Sequence, residues 1–206
     1  MAPAGTAASA PPTRQTHQIR TAAALSPTRW RNGAGTTRRI AAGGTPSPEP
    51  DWTLSLADID TDCCFSAFPD VDRMAVVVGD NPVDLTIGGQ RRTLALLDRV
   101  TFAGEDTVHA HPTRGATQLL NLMTRRRTLR GALTLRHHRG AAMAGTTDGV
   151  AWVVLAGTLH VDDVPLRRWD TVLLGNTPVE ITGAATVAAV HVTPWGEGPT
   201  PERTVP

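Results

Sequence analysis

The stretch RWRNGAGTTRRIA, Arg29 to Ala41, sets an indole, a side-chain amide and two glycines between two groups of arginine. Asn32, Gly33 and Gly35 tolerate positive φ, so a tight non-helical turn is expected, and successive N–H groups in such a turn can cradle an anion. No third glycine and no helix follow Gly35, which excludes a dinucleotide fingerprint, and a P-loop would need a lysine. Trp30 would wall such a site, Asn32 would aim an amide at the guest, and Gly33 to Thr37 would form one side of the mouth. The ordinary alternative is a structural turn with Trp30 packed on the core.

Two later segments place polar groups on apolar strands. In QLLNLMTRR, alternation puts Leu119, Asn121, Met123 and Arg125 on one face, an amide and a guanidinium flanking a thioether. In FSAFPDVDRMAVVV, Pro69 and Asp70 suggest a turn, after which Arg73, Ala75 and Val77 face one way and Asp72, Met74 and Val76 the other. A buried arginine is costly unless paired, so Arg73 is expected to meet a carboxylate of the protein or of a ligand. Asp72 points away from it. Phe65, Ser66 and Phe68 could line or cap the same space, and in WTLSLADI the small face of Thr53, Ser55 and Ala57 leaves room for a guest. A rival reading rests on HAH: His109 and His111 present two imidazoles on one strand face at the spacing of a metal-binding pair. No glutamate follows at the required distance and Pro112 ends the strand, so no metal and no cofactor are expected, and an isomerase or dioxygenase using this pair is the alternative.

Composition narrows the chemistry further. The 206 residues include 20 basic and 19 acidic side chains, a formal charge of +1, which argues against nucleic acid or an anionic membrane as partner. Every basic residue is arginine, which excludes Schiff-base chemistry, and tyrosine is absent. Cys63 and Cys64 are adjacent and ill suited to a disulfide, so a buried, reduced pair in a cytoplasmic protein is expected. No G-x-S-x-G elbow is present, and nucleophilic catalysis is disfavoured.

The elements that would position these groups are strands. WTLSLADI, RMAVVVG, VDLTIGG, RRTLALL, RVTF, TQLLNLMT, GALTLRH, VAWVVLAG, TLHVDD, DTVLL, VEITG and TVAAVHV are short apolar runs between turn signals, and no long window keeps helical periodicity. An all-β sandwich or barrel is predicted. VVVGD at Val76 to Asp80 with DRVTF at Asp98 is echoed by VVLAGT at Val153 to Thr158 with DTVLL at Asp170, which suggests two related halves, the first hairpin being six residues longer.

WRNGAGTTRRIA, WTLSLADI, FSAFPDVDRMAVVVGD, FAGE at Phe102 to Glu105 and LNLMTRR from Leu120 to Arg126 together resemble, in order and spacing, the HutD/Ves family over about Ile19 to Trp195. The resemblance implies a bicupin, two cupin-like β-barrels of RmlC-like jelly-roll type packed into one compact body, with a pocket in the first. It implies non-catalytic binding of a small acidic metabolite for regulation, connected with histidine utilisation or temperature stress, with no reaction securely attached; urocanate, formiminoglutamate and formylglutamate are the natural candidates. The expected ligand-binding set is Trp30, Asn32, Gly33, Gly35, Thr37, Ser55, Phe65, Ser66, Phe68, Arg73, Asn121, Met123 and Arg125. The expected organisation is a disordered leader at 1–16, a first barrel at 17–135, a second at 136–195 that N-terminal strands could complete, and a flexible tail at 196–206, in a monomer or homodimer. The chain departs from the family at Arg39, where glutamate is usual, at Asp70, where glycine is usual, and at Leu119, where aspartate is frequent.

Overall fold

A computed structural model describes residues 16–30, 33, 35–45 and 49–196. The expected leader up to residue 15, the tail from residue 197 and Asn32 lie outside the described residues.

The strands, in chain order, are β1 (Gln18–Arg20), β2 (Pro27–Arg29), β3 (Gly35–Gly43), β4 (Trp52–Ile59), β5 (Cys63–Cys64), β6 (Val71–Val77), β7 (Val83–Ile87), β8 (Gln90–Leu94), β9 (Arg99–Ala103), β10 (Val108–Pro112), β11 (Thr117–Arg125), β12 (Leu129–Ala144), β13 (Ala151–Val161), β14 (Val164–Leu166), β15 (Thr171–Leu173) and β16 (Val179–Pro194). No α-helix interrupts them among the described residues, so the chain is all-β as its alternating patterns predict. They pair antiparallel into a central sheet in the order β2-β3-β4-β11-β6-β9, a small sheet β5-β10-β7-β8, and a C-terminal sheet β1-β15-β13-β16-β12 with β14 beside β13. Hydrogen bonding thus follows three open paths, where two closed barrels were expected.

The central sheet is apolar on both faces for different reasons. Leu54, Leu56, Val76, Leu120 and Leu122 pack against Leu133, Val153, Ala188 and Val190 of the C-terminal sheet. The alternate residues Ile59, Ala75, Val77 and Leu119 face Val83, Leu85, Val108 and Ala110 of the small sheet. A one-residue register slip would exchange these faces, so the pattern pins the pairing of β11 between β4 and β6. A third cluster, with Trp152, Leu159, Leu166, Val172 and Ile181, fills the far side of the C-terminal sheet.

β12 and β16 run 16 residues each, longer than the segments GALTLRH, VEITG and TVAAVHV suggest. The reason is glycine used as a bend inside a strand. Gly183 pairs with Gly140 on one side and Leu159 on the other, and Gly140, Gly157 and Gly183 all have positive φ, so the sheet turns a corner without losing its ladder.

The two halves share one turn at atomic detail. Asp98 accepts the Ala95 N–H at 2.9 Å and Asp170 accepts the Arg167 N–H at 2.9 Å. Leu97 and Trp169 precede them at φ 70° and 72°, and each N–H donates to a valine carbonyl, Val77 at 2.8 Å and Val154 at 2.6 Å. The Val77 and Val154 N–H groups return bonds to the Asp98 and Asp170 carbonyls. A bulge after Val154 accounts for one of the six residues by which the hairpins differ in spacing from glycine to aspartate.

Asp170 does more than its counterpart, because its other oxygen accepts the Ala22 N–H at 2.8 Å and ties the N-terminal segment to the C-terminal sheet. Asp170→Ala should therefore cost about 3 kcal/mol and Asp98→Ala about 1.5 kcal/mol in urea unfolding, from two lost charge-assisted bonds against one. Equal losses would show that the Ala22 tie contributes nothing.

Candidate functional site

Arg73 sits near the start of β6 on the face turned toward the small sheet, and it is only 6% exposed. Among the described residues no carboxylate meets it. Its guanidinium lies 5.0 Å from the Phe65 ring centroid, 4.9 Å from Phe102 and 5.7 Å from Phe68, and its single hydrogen bond is Nη1 to the Ser66 carbonyl at 3.4 Å. Nε is buried without a partner. Burial pulls the guanidinium down to about 10, still charged at neutral pH. Of the two partners expected for Arg73, a carboxylate of the protein or of a ligand, the first is absent among the described residues, and three rings stand beside the guanidinium.

Pairing across the sheet assembles the surroundings. Met123 lies opposite Arg73, while Asn121 lies between Ser55 and Ala75 on neighbouring strands. Ser55, Arg73 and Asn121 are all buried, and Thr37 and Arg39 reach the same face from β3. Asn121 donates Nδ2 to the Leu119 carbonyl at 3.3 Å, which leaves its buried Oδ1 without a partner. These buried polar groups and the rings around Arg73 share one face of the central sheet, the candidate cup.

Arg125, of the expected ligand-binding set, has carboxylate partners within the protein. It stands at the end of β11, more than a third exposed, with Nε donating to Asp51 at 3.1 Å and Glu49 3.8 Å away. Asp51 also accepts the Thr45 N–H and hydroxyl, and those bonds, with Arg125, hold its carboxyl below the ordinary range. Arg125 is a rim residue committed to the protein. In the glycine turn the Gly33 N–H donates to the Trp30 carbonyl and the Trp30 N–H to the Gly35 carbonyl, each at 3.0 Å, so these two donors are already used by the protein. Gly35 is needed because a Cβ there would press on the Asp58 carbonyl and the Trp30 ring. Trp30 donates Nε1 to the Thr37 hydroxyl at 2.6 Å and meets Phe65 edge-on at 5.6 Å, so the turn shapes the ring wall. Ser66 and Phe68 are exposed at the mouth.

His109 and His111 lie on the opposite, outer face of the small sheet. His109 Nδ1 is 3.3 Å from Cys64 Sγ and His111 Nδ1 is 2.6 Å from Asp62. Among the described residues no group of three or more His, Cys, Asp or Glu is arranged to hold a metal. Only Cys63 of the cysteine pair is buried, its thiol pushed up to about 11 by burial, while Cys64 is exposed; the expected buried pair is half realised. A cleft of about 320 Å³ lined by Val78, Leu97, Leu155 and Arg168 sits elsewhere, beside the contact of the central and C-terminal sheets, and lacks unpaired buried charge.

The residues that hold the rings were not singled out as site residues from the sequence. Glu105 accepts two bonds from Arg126 and one from the Asp70 N–H, while Arg126 also donates to Asp72 at 2.8 Å and to the Val71 carbonyl. Asp70 stands at φ 59°, and a Cβ on Gly104 would collide with the Phe68 carbonyl. The backbone at Phe68 and Phe102 is therefore held by the PDVDR and FAGE segments, while the Phe68 ring itself is exposed. The co-occurrence of FAGE with FSAFPDVDR was the available signal.

The HutD family model matches residues 22–190. The chain is 36% identical to Protein Ves of Cronobacter sakazakii over 136 residues, 65% of this chain and 74% of that protein. Its fold superposes on HutD from Pseudomonas fluorescens SBW25 with a TM-score of 0.72, 24% identity, 88% coverage of this chain and 100% of the other. A cupin 2 conserved barrel domain protein from Leptotrichia buccalis aligns with a TM-score of 0.53 at 15% identity, over 77% of this chain and 89% of its own.

Arg126 and the Asp70 N–H lower the Glu105 carboxyl from 4.5 to about 2. A depressed carboxylate stabilises the fold above its unfolded value and loses that contribution as the pH drops, so stability should fall between pH 4.5 and 2. Glu105→Gln should flatten that part of the profile, and urea midpoints measured across the range would reveal it. An unchanged slope would remove Glu105 from the clamp.

Proposed function

The chain belongs to the HutD family, and from that premise and the cup around Arg73 we propose that it is a non-catalytic protein that binds a small carboxylate metabolite in a regulatory role. One observation carries the reading: a buried guanidinium with an unpartnered Nε and no carboxylate beside it. Such a group is costly when left alone and pairs in a forked manner with a carboxylate where water is excluded. Asn121 and Ser55 orient the guest, Met123 and Phe65 cover its apolar part, and Phe68, 41% exposed, is the ring that shifts to admit it. The turn containing Gly33 and Gly35 holds Trp30 and Thr37 at the wall. The site is in the cytoplasm, in a monomer or homodimer, and intermediates of histidine degradation are the first ligands to try. The repeated aspartate turn supports two cupin-like units, of which only the first carries the cup.

The metal-dependent enzyme reading draws no support from His109 and His111, whose side chains face away from Arg73 and already have partners.

Replacing Arg73 by methionine separates binding from folding. Removal of an unpaired buried charge should raise the stability of the ligand-free protein by about 1–3 kcal/mol while abolishing stabilisation by small acids in thermal-shift measurements. A variant that is less stable, or that still responds to the acids, would place the anion elsewhere.

A further inference from the structure

Resting on that carboxylate reading, the two orphaned atoms of the cup say more about the guest than either alone. Arg73 offers donors, and Asn121 offers an acceptor. The Asn121 amide cannot turn to reverse this, since its Nδ2 is oriented by the Leu119 carbonyl and a flipped amide would set two oxygens together. Arg73 pairs with Met123 and Asn121 with Ala75, so the two polar residues are diagonal neighbours on adjacent strands. Diagonal neighbours stand about 7–8 Å apart, within the span of a small molecule whose two ends reach both.

We infer that the guest is a carboxylate that also bears an uncharged N–H or O–H donor, a hydroxy acid or an acid whose amine is acylated, and that the cup rejects free amino acids. The donor satisfies Asn121 Oδ1. Rejection follows from charge. The cup-face residues of β3, β4, β6, β9 and β11 include the buried Arg73 and the exposed Arg39 and no acidic side chain, and Asp51 at the rim is committed to Thr45 and Arg125. An ammonium entering this dry space would lie beside a guanidinium without a counter-charge.

Matched probes test this by calorimetry on the full chain: glycolate against methoxyacetate, N-acetylglycine against N-acetylsarcosine, and glycine. The donor-bearing member of each pair should bind at least about tenfold more tightly than its methylated twin, and glycine should give no heat. In Asn121→Leu the tenfold preference should vanish while acid binding persists, whereas a purely steric effect of the added methyl would survive the substitution. Asn121→Ala makes the same comparison if the leucine variant does not fold. Equal affinities within both pairs, or tighter binding of glycine, would overturn the donor inference and leave the carboxylate reading intact. Binding by none of the acids would overturn both.

Discussion

A positive charge held in a dry, ring-lined space without an opposite charge is the constraint around which this molecule is arranged. Three aromatic faces soften the isolation of Arg73, each by about 0.5–2 kcal/mol. Burial of an ion costs several kcal/mol, so the rings reduce the deficit without abolishing it. A deficit of this kind survives only if the surroundings prevent the side chain from escaping to water. That is the work of the Arg126–Glu105 clamp, the close approach of Gly104 to the Phe68 carbonyl, and the edge-on packing of Trp30 on Phe65.

Buried polar side chains concentrate in one half of the scaffold. Among the described residues the buried polar side chains are Asp51, Ser55, Asp58, Arg73, Asp84, Thr117, Asn121, Thr124 and Thr171, and Thr171 alone of these lies beyond residue 124. The interior of the C-terminal sheet is apolar, and packing of this kind stabilises a fold without offering a guest any directed contact. Two halves with the same aspartate turn thus diverge in what their interiors hold. The C-terminal sheet gives the central sheet a stiff back, through Leu54, Leu122, Val153 and Val190, and the other face is free to carry polar groups.

Strand alternation was legible in the letters because period two is a strong physical signal. WTLSLADI forms β4 residue for residue, and the face assignments of Asn121, Arg73 and Asp72 follow from it. Two kinds of feature were hidden. Gly157 and Gly183 look like breaks in a linear pattern, yet they serve as corners within continuous ladders, because ladder continuity depends on partners far away in sequence. Arg125 and Arg126 are adjacent and alike by type, but Asp51 awaits one and Glu105 the other, and no local pattern tells which arginine will be neutralised. Of the three rings around Arg73, Phe65 and Phe68 were legible beside it in the chain, whereas Phe102 was hidden because it arrives from β9.

The departures from the resembling family now have different physical weights. Asp70 replaces a usual glycine at a left-handed position, which aspartate tolerates better than most side chains, and its N–H still reaches Glu105, so the clamp keeps its form. Leu119 and Arg39 act on the cup itself. Leu119 is fully buried on the cup face two positions from Asn121, where the resemblance implies frequent aspartate, and Arg39, exposed, lies opposite Ser55, where the resemblance implies glutamate. Both changes remove negative charge from the face that carries Arg73, and one adds a positive charge. A cup altered in that direction strengthens its demand for an anionic guest, because nothing of opposite sign on the same face competes for the guanidinium.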